Sequence, residues 1–143
     1  MLCIVFTKDI VSPLTDGNSA IAARVRFIEH AGTRVLAIDY RHCDVALLKQ
    51  VVMEGHRVIS RELPNSVLTL NDVAGTQFDQ ESVKVLKSMV AANAPYVKRA
   101  AIIGISGLQL LIYDAVQTFS QRRIPRFSSQ QDALDWLVKE EEE

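Results

Sequence analysis

Two kinds of apolar pattern take turns along the chain. Short runs rich in β-branched residues alternate or are wholly apolar, and the stretches between them carry apolar residues three and four positions apart. The first two strand-like runs, 24–29 and 34–40, are joined by His30-Ala31-Gly32-Thr33. A short connection containing glycine predicts an antiparallel hairpin. The second run is apolar on both faces over 35–38, the pattern of a strand covered on both sides.

A helix follows, with Val45, Leu48, Val52 and Ile59 near one face and Val51 and Val58 beside them. Asp44 is placed to cap it by accepting backbone N–H groups. Gly55 costs about 1 kcal/mol relative to alanine in such a helix, and Pro64-Asn65 closes the segment. The third strand is predicted over 67–73. Asp79 caps a helix over 80–92 whose buried stripe is Val83, Leu86 and Val90, supported by Met89, and Asn93 and Pro95 end it. The fourth strand, 100–105, has no polar side chain and is expected in the sheet interior. Ser106 caps the next helix, with Leu108, Leu111, Ile112, Ala115 and Phe119 on its face. A short fifth strand, 124–127, holds Pro125, which cannot donate to a ladder and so belongs at an edge. Ser129 and Asp132 start a last helix with Ala133, Leu134, Trp136, Leu137 and Val138 as its apolar residues.

The order β-β-α-β-α-β-α-β-α predicts an α/β fold: one mixed, mostly parallel sheet of four to five strands, entered by a hairpin, with four helices. Its crossovers are expected to be right-handed. Three segments follow from this reading. Residues 1–22 form an N-terminal extension broken by the turn formers of 12–19, either a loose tail or one holding a short strand at 2–7. Residues 23–139 form the α/β domain. Residues 140–143 are an acidic tail, four like charges that oppose the dipole of the helix before them.

Composition narrows the function classes. The chain has 143 residues, 48% hydrophobic and 23% charged, which suits one globular domain. A formal net charge of -1 provides no general attraction to nucleic acid or anionic lipid. Cys3 and Cys43 are too few for a disulfide framework and are expected as free thiols in a reducing cytoplasm. The apolar start at 1–6 is too short and lacks the flanks of a signal peptide, and no apolar run has the length of a membrane span.

From residue 24 to 138 the chain resembles the STAS-like domains, typified by bacterial anti-sigma-factor antagonists. The resemblance is carried by Asn65-Ser66-Val67-Leu68-Thr69-Leu70-Asn71-Asp72-Val73, Ala94-Pro95-Tyr96-Val97-Lys98, Gly104-Ile105-Ser106-Gly107-Leu108-Gln109 and Asp135-Trp136-Leu137. It is most similar to an uncharacterised bacterial branch that is also compared with lipid-binding CRAL-TRIO domains. The resemblance implies a regulatory fold whose antagonists carry a phosphorylatable Ser or Thr after the third strand, within an Asp-Ser-Ser-Gly-Leu-like motif. Here that place reads Val73-Ala74-Gly75-Thr76-Gln77-Phe78-Asp79, with Thr76 the nearest hydroxyl. The similar Ser106-Gly107-Leu108 lies one βα unit later.

Candidate chemistry is sparse. Gly104-Ile105-Ser106-Gly107-Leu108 departs from the nucleophile-elbow pattern Gly-x-Ser-x-Gly, and no histidine follows Ser106. His42-Cys43-Asp44 are adjacent and have no second ligand pair at metal-site spacing. Arg122, Arg123 and Arg126 cluster where they complement a helix C-terminus or contact a phosphate. No phosphate-binding glycine loop or dinucleotide fingerprint is present. In an open parallel sheet ligands bind beyond the carboxyl ends of the strands. Asp39, Tyr40, Asp72, Thr76, Ser106 and Gly107 sit at such ends and are the candidate ligand- or partner-binding residues, Thr76 and Ser106 also as phosphorylation candidates.

The expectation is a cytoplasmic, non-catalytic regulatory domain. It would bind a protein partner, with homodimerisation one form of this, and use no cofactor, metal, nucleic acid or membrane span. The alternative is a site for an apolar or lipid-like small molecule.

Overall fold

The computed structural model describes residues 20–107, 109–120 and 124–139. The expected strand at 2–7, Cys3, Leu108, Arg122, Arg123 and the acidic tail lie outside the described residues. The elements are β1 (Val25–His30), β2 (Thr33–Asp39), α1 (Val45–Ile59), β3 (Val67–Asp72), α2 (Gln80–Asn93), β4 (Val97–Ile103), α3 (Gln109–Ser120), β5 (Arg126–Phe127) and α4 (Gln130–Leu137). A helical turn at 20–22 leads into β1.

The five strands stand in the order β1-β2-β3-β4-β5. β1 and β2 are antiparallel, and every later pairing is parallel. The hairpin turns on Ala31 and Gly32, both with positive φ (53° and 80°). That is the two-residue geometry whose twist matches the flanking strands. β5 is an edge strand of two residues; Pro125 precedes it, and the Pro125 carbonyl accepts from the Ile102 N–H.

The caps act as the side chains dictate. Asp44 accepts from the Leu47 N–H, Asp79 and Ser82 form a reciprocal capping box, and Ser129 accepts from the Asp132 N–H. Gly55 has a packing reason to be in α1: it is buried, and a Cβ there would touch Ile38 Cδ1 at 3.4 Å. β4 begins at Val97, three residues before the apolar run that marks it in sequence. A register shift between Val67 and Leu68 brings Val97 and Arg99 into the ladder, with Lys98 the extra residue between them. Polar side chains are tolerated there because Arg99 Nη1 reaches the carbonyls of Trp136 and Leu137 at the end of α4.

Alternation along the strands builds two cores. Leu36, Ile38, Val67, Val73, Val97 and Ala100 face α1, α2 and α3. Val35, Leu68, Leu70, Ala101 and Ile103 face α4, which buries Ala133, Leu134 and Leu137 against them. A sheet covered on both faces explains the continuous apolar runs of β2 and β4.

Candidate functional site

The carboxyl ends of β2, β3 and β4 meet in a tightly bonded loop cluster. Asp39 and Asp72 are direct neighbours in the parallel register. Two carboxylates so placed repel unless a cation intervenes, and Arg41 supplies it. Its Nε and Nη2 fork onto the two oxygens of Asp39 at 2.9 and 3.0 Å, and its Nε lies 3.9 Å from Asp72 Oδ2. Arg24 adds a second positive charge 3.7 Å from Asp39. The hydrogen bond from Arg41 holds the Asp39 carboxyl below the usual carboxylate range, against the opposing effect of partial burial. Asp72 also accepts from the Ala74 N–H at 3.2 Å.

The loops are joined by backbone. Tyr40 N–H donates to the Asp72 carbonyl, His42 N–H to Ala74, and Gln77 N–H to Cys43, each at 2.9 Å. Thr76 is 6% exposed, and its hydroxyl donates to the Tyr40 carbonyl at 2.5 Å. Gly75 takes φ 70° under the His42 ring, where a Cβ would lie 2.4 Å from Nδ1. Gly104 takes φ 87° against the Ala74 backbone, where a Cβ would lie 2.7 Å from the Ala74 nitrogen. Gln109 ties α3 to this cluster: its Nε2 donates to the Val73 and Thr76 carbonyls, and its Oε1 accepts from the Ser106 N–H.

Of the six sequence candidates, Asp39, Tyr40, Asp72 and Thr76 come together as this framework. Ser106 and Gly107 lie on the exposed connection next to it. The N–H groups of Ser106, Gln109 and Leu110 are already engaged, by Gln109 Oε1 and by the carbonyls of Ser106 and Gly107. These three N–H groups are therefore not open to an anion. His42, Cys43 and Asp44 have separate tasks: His42 packs on Gly75, Cys43 is fully buried, and Asp44 caps α1. Burial pushes the Cys43 thiol up. Arg126 lies over the Tyr113 ring, 5.9 Å from its centroid.

Sequence reasoning missed Arg24, Arg41 and Gln109, long polar side chains whose partners are chosen by tertiary contact. It also missed a cavity of about 130 Å³ between the sheet and the three helices on that face. Its floor is Ile38, Tyr40, Thr69, Asn71, Val73 and Ile102; its walls include Val52 and Gly55 of α1, Leu86 and Met89 of α2, and Ile112 and Val116 of α3. One signal for it was in the sequence. Thr69 and Asn71 interrupt the apolar alternation of β3 between Val67 and Val73, on a face that is otherwise apolar.

The architecture is a STAS-like fold: a hairpin-led mixed sheet with helices on both faces. Among solved structures it is similar to an uncharacterised protein of the DUF3478 family with a SpoIIAA-like fold from Shewanella loihica PV-4. The TM-score is 0.63 at 18% identity, covering 80% of this chain and 92% of that one. The SpoIIAA-like fold is thus shared across a large divergence in sequence. No protein-family model matches the chain, and no curated protein does. Among the described residues no helix is long and apolar enough to cross a membrane.

Proposed function

We propose that the chain is a non-catalytic regulatory domain of the cytoplasm that acts by binding a protein partner. The observation that carries this reading is the SpoIIAA-like fold, retained at 18% identity over 80% of the chain. The carboxyl-end cluster fits it. Asp39, Asp72, Thr76 and Gln109 have their polar atoms engaged in holding loops, which makes a firm platform rather than a set of reactive groups. Ser106 and Gly107 present the exposed part of this platform. Of the two hydroxyls expected as a switch, Ser106 is exposed, while Thr76 is buried and bonded.

The test is cross-linking and mass spectrometry on the tagged full chain in its native cell, together with sedimentation of the purified protein. A stoichiometric partner, or a homodimer, is expected, with capture lost in Ser106→Glu at unchanged circular dichroism. A strict monomer that recovers no partner overturns the reading.

The cavity favours a second reading, an apolar small molecule as the bound species. Its lining is mostly apolar with a few polar side chains, and it lies between a sheet face and helices, the setting in which small-molecule sites form.

A further inference from the structure

The cavity carries more than its apolar character. β3 is the central strand, and Thr69 and Asn71 both line the cavity from it. Valine or isoleucine would pack equally well at such positions, so a buried polar pair needs an account. The Asn71 carboxamide is oriented by the sheet: its Nδ2 donates to the Ala101 carbonyl at 3.1 Å, which places the other N–H on Thr69 Oγ1, also at 3.1 Å. Turning the amide over would set two oxygens against each other at Ala101. Thr69 therefore serves as an acceptor toward Asn71, and its own O–H is left to donate elsewhere.

That proton meets no acceptor among the described residues, although Thr69 is only 3% exposed. Tyr40, 8% exposed, also lines the cavity, and its phenol has no hydrogen bond among the described residues. Asn71 Oδ1 is left as an acceptor without a donor there. Buried hydroxyls are normally paired, so two unspent O–H groups beside one apolar space point to a partner that occupies it. Among the described residues no lysine, arginine, histidine, aspartate or glutamate lines the cavity. An ionised ligand would lose its hydration there without a counter-charge, which excludes carboxylates and amines. The volume, about 130 Å³, is close to that of an apolar protein cavity of about 150 Å³ that admits benzene.

We propose that this cavity binds a compact, neutral, mostly apolar molecule with a carbonyl group, whose oxygen receives the hydroxyl proton of Thr69 or of Tyr40. The proposal rests on the small-molecule reading above and names the ligand class for it.

The experiment is an amide-resolved NMR titration of the full chain with three probes of one size: acetophenone, ethylbenzene and benzoate. Saturable shifts at Ile38, Val52 and Ile102 are expected with the first two, and none with benzoate. Acetophenone should bind about 3- to 10-fold tighter than ethylbenzene, the range of one net hydrogen bond. Thr69→Val and Tyr40→Phe keep the volume and each remove one donor, and the variant that loses the donating hydroxyl should shrink that preference toward one. If neither neutral probe saturates, the small-molecule reading falls together with this inference. Equal affinity for acetophenone and ethylbenzene, benzoate binding as tightly as acetophenone, or a preference unchanged in both variants overturns the inference and leaves the small-molecule reading intact. The comparison of probes on the unaltered chain decides the matter if either variant fails to fold.

Discussion

The hydroxyl of Thr76, at the end of the loop after β3, donates to the backbone carbonyl of Tyr40, 36 residues earlier in the chain. This bond joins two loops that also meet through backbone hydrogen bonds and through the His42 ring on Gly75, and it engages the buried Thr76 hydroxyl. Thr76→Val removes this donor while the Tyr40 carbonyl keeps the Cys43 N–H, so a loss of about 0.5–1.5 kcal/mol is expected in urea unfolding. Thr76→Glu should cost more and lower the melting temperature further, because it also buries a charge. Ser106→Glu, on the exposed connection, should stay within about 0.5 kcal/mol of the unaltered chain.

Gly104 and Gly107 separate two roles that look alike in sequence. Both have positive φ, 87° and 58°, but a Cβ on Gly104 would meet the Ala74 nitrogen at 2.7 Å and Asp72 Oδ1 at 2.9 Å, whereas one on Gly107 meets nothing within 4 Å. Gly107→Ala is expected to cost only the left-handed backbone penalty, about 1–2 kcal/mol. Gly104→Ala adds a backbone collision to that penalty and should exceed it clearly. Equal losses in chemical unfolding of the two variants would contradict this account.

Asp39 predicts an acid-side stability limb. Its folded pKa is depressed by the hydrogen bond from Arg41, with the charges of Arg41 and Arg24 acting in the same direction. The stabilisation is therefore fully present above the unfolded carboxylate pKa and is lost as pH falls through the lower folded value. The Asp39 side chain is one-third exposed (33%), so screening limits the contribution to about 1 kcal/mol or less. Asp39→Asn should be less stable than the unaltered chain at pH 7, with the difference closing as pH falls through the lowered folded pKa. A pH series of denaturant midpoints measures it.

Helix α4 is held by burial and by Arg99. Leu137 is 1% exposed in the second core, and Arg99 Nη1 binds the carbonyl ends at Trp136 and Leu137. Leu137→Ala is expected to cost about 2–5 kcal/mol. The emission of Trp136, which packs on Phe127 with ring centroids 5.6 Å apart, reports the detachment. Leu63, 76% exposed, is the control: Leu63→Ser should change stability by less than about 0.5 kcal/mol.

The order and type of the nine described strands and helices were legible because they rest on local chemistry. Periodicity selects strand or helix, and Asp44, Asp79 and Ser129 mark helix starts by capping with their own side chains. Pro125 placed its strand at an edge for the same kind of reason: it lacks an N–H. The beginning of β4 was not legible, since Lys98 and Arg99 are polar: a register shift places Lys98 as an extra residue, and Leu68 and the end of α4 give Arg99 its partners.

The sequence by itself determined which side chains stand at the carboxyl ends of the strands, because strand boundaries and parallel order follow from pattern. It placed Asp39, Tyr40, Asp72, Thr76, Ser106 and Gly107 there. Only the tertiary structure decided what each does. Parallel register put Asp39 beside Asp72 and so made Arg41 their common partner, and loop packing turned the Thr76 hydroxyl inward. The cavity over Thr69 and Asn71 is the clearest case. It exists in the gap between a sheet and three helices, and the volume left between packed surfaces is a property of no single segment.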